Sequence, residues 1–442
     1  MNKSMRQWLS IFASLGCLLS LPAQAVEVQE IAVNDTKAWF VADDSVPVLQ
    51  VTLAFKQAGW AGDSTDAQGR ASLLAAMLME GAGDRNALQF HQALEEKAIS
   101  ISMDAQRDDF VIGIYSLSEH SAEAFALLRE ALSNPQLSEA SLSEAKARQL
   151  ASLRRAQESP EYVASRELAQ MLYGDHPYAR TSFGTAESVQ AITAEDLHDY
   201  LKAALTQDRV IISAVGALDK RTLKRELNQL LDSLPKEATH QPALDDIVID
   251  SKGQWREVTM DIPQSIVMVA TQGIKRDDPD YYAAYVMNHI LGGSGLTSRL
   301  SDAIRDRRGL AYYAGSELNV SNYAQSWQAV FATRSEQVKE SLSAFNESLA
   351  TMAKDGVSEA ERDAAIGYIT GSFPLNMDDS SSIAAYLMAM QRYELGRDYL
   401  DKRNSYFEAV TVEQINKVAA RLLDTNQLKV VKLGGISADE GE

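Results

Sequence analysis

Six histidines, His91, His120, His176, His198, His240 and His289, are the first residues to test for metal or acid–base chemistry. A helical metal site needs two of them three or four positions apart, so that both imidazoles leave one face of the helix. No two of the six have that spacing. The one cysteine, Cys17, lies in an apolar N-terminal run, so the rest of the chain has no thiol for catalysis, metal binding or a disulfide. The serines of "MDDSSSIAAYLMA" read as a helix cap rather than a nucleophile. "GGSG" (Gly292–Gly295) lacks the lysine and the preceding strand of a phosphate loop, and reads as a turn leading into a helix. The stretch "GRASLLAAMLMEG", from Gly69 to Gly81, is a short amphipathic helix between glycines. Its Ser72, Ala75 and Ala76 stand at i, i+3 and i+4 and share one face, and that face carries nothing that ligates or titrates.

The elements around these residues form two similar halves. The 442 residues suit two domains of roughly 200. A hydrophobic content of 45% with 23% charged residues is that of a globular protein. A formal charge of −19 repels phosphate backbones and argues against nucleic-acid binding. "ITAEDLHDYLKAALTQDRVIISAVG" (Ile192–Gly216) aligns without a gap with "VTVEQINKVAARLLDTNQLKVVKLG" (Val410–Gly434), 218 positions on. Each reads as a threonine N-cap, an amphipathic helix, a short polar turn and a strand ending in glycine. "LSEASLSEAK" from Leu137 matches "VSEAERDAAI" from Val357 at an offset of 220. Two nearly equal offsets predict a duplicated unit. Within each unit the order is strands, two helices, a strand pair, a helical block and a closing strand. "ISISMDAQRDDFVIGIYSL" alternates like two half-buried strands, and "SEHSAEAFALLREALSNP" and "SEAKARQLASLRRAQESP" have helical periodicity and stop at prolines. The fold class expected is α+β: two homologous domains, each a mainly antiparallel sheet covered by helices on one face. The first spans 26–236, a linker 237–254, and the second 255–442.

Residues 1–25 read as a cleaved leader. Lys3 and Arg6 precede an apolar run too short to span a bilayer comfortably, and "PAQA" offers small residues before Val26. Losing Lys3 and Arg6 takes the charge from −19 to −21. Acylation at Cys17 as a lipoprotein is disfavoured, because Ser14 stands where a leucine-like residue is wanted. The expected location is the periplasm.

"MLYGDHPYARTSFGTAESVQAITAEDL" (Met171–Leu197) and "TQGIKRDDPDYYAAYVMNHILGGSGLTSRLSDAIRDRRGLAYYAGS" (Thr271–Ser316) resemble the two signatures of the M16 metallopeptidases, the insulinase, pitrilysin and mitochondrial processing peptidase group. The resemblance covers nearly all of the chain after the leader, and implies the duplicated LuxS/MPP-like α+β fold. Active members carry HxxEH on the first helix, two histidines binding zinc and the glutamate activating water, with a distal glutamate ligand roughly 75 residues later. Aligning "AAMLMEG" with their "EHMLFKG" puts the histidine positions at Ser72 and Ala76, the general base at Ala75, and the distal ligand near Ala151 or Ser152. None of these side chains can replace the originals, so no metal is expected in this chain. Leu73, Leu74, Met77 and Leu78 keep the helix's packing role. His176, in the turn "DHPY", is expected to serve folding rather than ligation.

The second signature implies the opposite. "AIRDRRGLAYY" holds Arg305 and Tyr312 seven residues apart, a pair that in the family faces the zinc across an enclosed chamber. A guanidinium can grip substrate carbonyls, and a phenol can donate to the oxyanion of a tetrahedral intermediate. Arg299, Arg307 and Arg308 on the same helix read as a solvated face, and Tyr313 competes with Tyr312 as the buried tyrosine. The resemblance thus implies the non-zinc subunit of a heterodimeric periplasmic M16 metallopeptidase. Such a subunit closes the chamber, binds extended peptide at a sheet edge and supplies Arg305 and Tyr312 to an HxxEH-bearing partner that holds the zinc. The alternative is a catalytically inactive peptide-binding scaffold or chaperone derived from such a peptidase.

Overall fold

A computed structural model describes residues 27–242 and 244–435; the leader and Cys17 lie outside the described residues. The first sheet contains β1 (Gln29–Val33), β2 (Thr36–Ala42), β3 (Val48–Lys56), β4 (Ser100–Ala105), β5 (Asp109–Leu117) and β6 (Val210–Gly216), in the order β1-β2-β6-β3-β5-β4. The second contains β7 (Gln254–Val258), β8 (Ser265–Gln272), β9 (Ala311–Val320), β10 (Gln325–Thr333) and β11 (Lys429–Leu433), in the order β9-β10-β8-β11-β7. Read from opposite ends, the two orders are one topology with β1 added to the first. Each sheet is antiparallel except at one parallel pair involving its closing strand: β2 with β6, and β7 with β11. The duplication in the sequence is therefore a duplication of the fold, and the α+β class holds.

The repeated caps explain why the repeated helices start where they do. Thr193 and Thr411 each close a capping box, with Asp196 and Gln414 respectively. Ser138 and Ser358 cap the helices Glu139–Gln157 and Glu359–Gly371 by accepting from the backbone N–H three residues on. Two expectations at helix ends need correction. Pro160 does more than stop a helix: with Ser159 as cap it opens the next one, Pro160–Tyr173, at the position where a missing N–H costs nothing. In "MDDSSSIAAYLMA" the cap is Asp379, whose carboxylate accepts from Ser382 N at 2.8 Å, while the serines form the first turn of helix Ser380–Arg392.

Each sheet is buried on both faces. On the first, Leu49, Val51, Leu53 and Phe55 of β3 pack into a core with Leu73, Leu74 and Met77. The other face, with Val41, Val215, Ala54 and Ile211, is covered by Ile383, Ala384, Leu387 and Met388 of helix Ser380–Arg392, which belongs to the second half. The second sheet is treated reciprocally. Its Val267, Val269, Trp327 and Phe331 join the core of its own half, and its Ile266, Ala270, Val431 and Leu433 receive Leu168 and Leu172 of helix Pro160–Tyr173 from the first half. Helices at corresponding places in the repeat are thus exchanged between the halves. Sequence periodicity shows that these helices have an apolar face but not which sheet receives it.

Candidate functional site

Helix Arg70–Met77, where the resemblance sets the zinc-binding residues, is firmly fixed to its neighbours. Gly69 begins it in the left-handed region (φ +86°), and a Cβ there would lie 2.7 Å from Gln149 Nε2 and from Phe183 O. Gln149, on helix Glu139–Gln157, donates to Gly69 O at 3.0 Å and to Phe183 O at 2.9 Å, joining the two helices. Arg148 pairs with Glu80 across the same junction. The buried Asp63 carboxylate accepts from Gly69 N at 3.0 Å and Ala71 N at 3.3 Å. Between these fixings Ser72 is half-buried, Ala75 buried and Ala76 exposed; Ala151 and Ser152 are half-buried on the neighbouring helix. Two methyl groups and a hydroxyl cannot hold a zinc ion or activate its water. No cluster of three histidine, cysteine or acidic residues able to hold a metal exists among the described residues. The residues that the resemblance sets at the zinc position do not fit the metal.

Arg305 and Tyr312 are brought together. The Arg305 Cζ lies 5.7 Å from the centroid of the Tyr312 ring, and Tyr312 is 83% exposed at the start of β9. Arg305 sits in Ser301–Asp306, which is wound as a π-helix, a wide turn that sequence periodicity does not reveal. The register between β9 and β10 shifts between Ala311 and Ala314, so both tyrosines leave the regular pleat. Neither is buried: Tyr313 is 50% exposed, and it lines a cleft with which Tyr312 has no contact. Of the other arginines here, Arg307 and Arg308 are solvent-exposed, as expected, and Arg299 is half-buried. Arg299 Nε and Nη2 donate to the two oxygens of Glu361 at 2.8 and 2.9 Å, Arg307 pairs with Asp302, and Arg308 with Glu347. Arg305 has only its neighbour Asp306, at 3.4 Å. Arg305 is half-buried and lies near the exposed phenol of Tyr312.

A polar network missed by sequence reasoning holds β9 in place. The Asn288 side-chain oxygen accepts from Ser316 Oγ at 2.8 Å and from Trp327 Nε1 at 2.9 Å, and its amide donates to Ser316 O. Gly292 must be glycine here, because a Cβ would lie 2.3 Å from Ser316 Oγ. Its place at the tight approach of a helix to β9 is the structural meaning of "GGSG". His176 acts as expected of a folding residue, its Nδ1 accepting from Tyr178 N at 3.1 Å. Tyr178 then donates to Asp108 at 2.5 Å and accepts from Tyr323 N, linking the β4–β5 turn of one half to the β9–β10 turn of the other.

Comparison with known proteins gives a consistent answer. Residues 42–186 match the insulinase (peptidase family M16) domain, and residues 191–367 match the peptidase M16 inactive domain. The chain is 31% identical over 373 residues to the non-peptidase homolog YmxG of Helicobacter pylori, covering 83% of this chain and 84% of that protein. A crystal structure described as a peptidase M16 inactive domain from Pseudomonas fluorescens superposes with a TM-score of 0.87 at 29% identity, covering 94% of this chain and 99% of that one. The periplasmic protease PqqL of Escherichia coli shares the fold, with a TM-score of 0.76 at 15% identity; the match covers 93% of this chain and 47% of that one.

Proposed function

The chain belongs to the M16 peptidase family as one of its non-zinc members, and from that premise we propose that it is the zinc-free subunit of a two-chain peptidase. In this reading an HxxEH-bearing M16 partner supplies the metal. This chain closes the chamber, offers the free edge of a sheet to extended peptide, and presents Arg305 and Tyr312 to the substrate. The single observation that carries the proposal is the proximity of the half-buried Arg305 to the exposed Tyr312, in a molecule that has Ser72, Ala75 and Ala76 where the resemblance sets the zinc-binding residues. A guanidinium stacked near a phenol offers one charged and one neutral donor to a carbonyl gaining negative charge. Such donors are worth on the order of a hundredfold in rate. Location in the periplasm is supported by the leader-like N-terminus, and no described helix is long and apolar enough to cross a membrane.

The test is reconstitution. The purified chain alone should hold substoichiometric zinc and cleave no peptide, and adding its HxxEH companion should produce peptidase activity. In the pair, Arg305→Ala or Tyr312→Phe should lower turnover about a hundredfold while the complex still co-elutes. One equivalent of tightly bound zinc in the isolated chain, or unchanged turnover in both variants, would overturn the assignment. Peptide binding with no activity in any pairing would instead favour the scaffold.

A further inference from the structure

A second, separate cleft lies where helix Pro160–Tyr173 crosses the face of the second sheet. It has a volume of about 450 Å³ and is lined by both halves of the molecule. Its floor is apolar, with Leu168, Leu172, Met268 and Val330. Its walls bring together three arginines, Arg107, Arg166 and Arg180, with one carboxylate, the exposed Glu317.

Acidic residues outnumber lysines and arginines in this chain, 61 to 42. These three form no ion pair among the described residues. Arg166 Nη1 donates to Arg180 O at 2.6 Å, and Arg107 Nη1 to Ser321 Oγ at 3.1 Å. Arg180 turns away to Asp63 O at 2.7 Å and Thr65 Oγ1 at 3.0 Å, so it contributes charge more than contacts. Arg107 Nε is buried with no hydrogen-bond partner. Buried donors in proteins are seldom left unused, and here one belongs to a fixed positive charge, held 4.9 Å from the Tyr178 ring centroid. Packing does not demand the positive charge: in the other exchanged helix, the place 220 positions after Arg166 is Tyr386.

We propose that this cleft recognises a carboxylate attached to an apolar residue, specifically the C-terminal residue of a peptide. The carboxylate lies against Arg107 and Arg166, and the side chain rests on the apolar floor. The volume suits a chain end rather than an extended segment. The proposal takes from the functional reading only that the ligand is a peptide, and its failure would leave the Arg305 and Tyr312 test intact.

Isothermal titration of the full chain with three N-acetylated tripeptides tests it: Ala-Ala-Leu as the free acid, the same peptide as the C-terminal amide, and Ala-Glu-Leu amide. The free acid should bind about tenfold more tightly than the neutral amide, as a charge-assisted pair allows. The advantage should shrink with added salt and vanish in Arg166→Gln, whose thermal unfolding is measured alongside. If the glutamate peptide gains as much as the free acid, the cleft reads any carboxylate and the proposed recognition of a chain end is overturned. The proposal is overturned if the neutral amide binds as well as both acids, if the acid advantage survives in Arg166→Gln and Arg107→Gln, or if no peptide binds at millimolar concentration.

Discussion

His240 stacks edge-on against Tyr200 at 5.0 Å between ring centroids, and Arg70 lies over the same tyrosine at 4.3 Å. Burial, and then the charges of Arg70 and Arg209, hold the imidazole down at about 4. Asp63, beside Arg70, is pushed up to about 7 by burial, against the pull of Arg70 and the helix amides. The two groups give opposite slopes. An unfolded histidine titrates near about 6.5, so the His240 contribution is complete above that value and is lost as pH falls towards 4. Asp63 binds its proton more tightly when folded, so it favours the native state as pH falls from 7 towards the ordinary carboxylate range. His240→Gln removes only the first slope. The stability difference, variant minus wild type, should therefore grow steadily in the variant's favour between pH 6.5 and 4 in urea unfolding; a pH-independent difference would show that His240 does not titrate in this cluster. The spacing of the six histidines left no helical pair for a metal, and Ser72, Ala75 and Ala76 needed only the helical repeat to be placed on one face. Nothing in the sequence indicated that His240, in the linker, would be drawn onto Tyr200, because that contact joins residues 40 positions apart through the tertiary fold.

At the scale of elements, the segment that carries Arg305 is secured from below by Arg299. Besides both oxygens of Glu361, Arg299 reaches Gly356 O at 3.0 Å, so the start of helix Glu359–Gly371 is joined to the wide-wound turn. The hydrogen bonds from Arg299, with those of the Ser358 cap, hold the Glu361 carboxyl down at about 2. A depressed carboxylate contributes stability that is present above its unfolded value of 4.5 and lost as pH falls towards 2. Glu361→Gln should lower stability by about 1 kcal/mol at neutral pH, a modest figure because the pair is partly solvated. It should also flatten the acid limb of the stability profile. Equal acid limbs in thermal unfolding of variant and wild type would refute the pairing. Much at this scale was legible in advance. Thr193 and Thr411 announced helices by the same chemistry at an offset of 218. The strands of "ISISMDAQRDDFVIGIYSL" followed from alternation. What stayed hidden was winding and partnership. The π-turn at Ser301–Asp306 has no periodic signature, and the bond between Asn288 and Trp327 depends on a sheet register that no local pattern states.

For the whole molecule, the exchange of helices is the decisive feature, because it makes each half the cover for the other's sheet. Helix Ser380–Arg392 is bound to the first sheet by more than apolar contact. Ser213 Oγ donates to Ala384 O at 2.9 Å, Gln391 Nε2 donates to Ile212 O at 3.0 Å, and Arg392 pairs with the buried Asp109. On the opposite side Arg256 Nη1 pairs with Glu167 at 2.5 Å, holding β7 to helix Pro160–Tyr173. A half expressed alone would expose an apolar sheet face and an unpartnered apolar helix, a surface that soluble domains do not tolerate. The two halves should therefore unfold as one unit, unlike ordinary tandem domains. Leu387 is fully buried between the second half's helix and the first half's sheet, so Leu387→Ala should cost about 2–4 kcal/mol. If the halves are one cooperative unit, that loss should not stay where it is made. Under conditions where global opening dominates, amide exchange should speed up on the order of a hundredfold in β3 and β6. It should rise equally in β8 and β10 of the second sheet, which Leu387 does not touch. Faster exchange confined to the first sheet would mean that the exchanged helices lie on their sheets without coupling them, and that the halves remain two domains in contact.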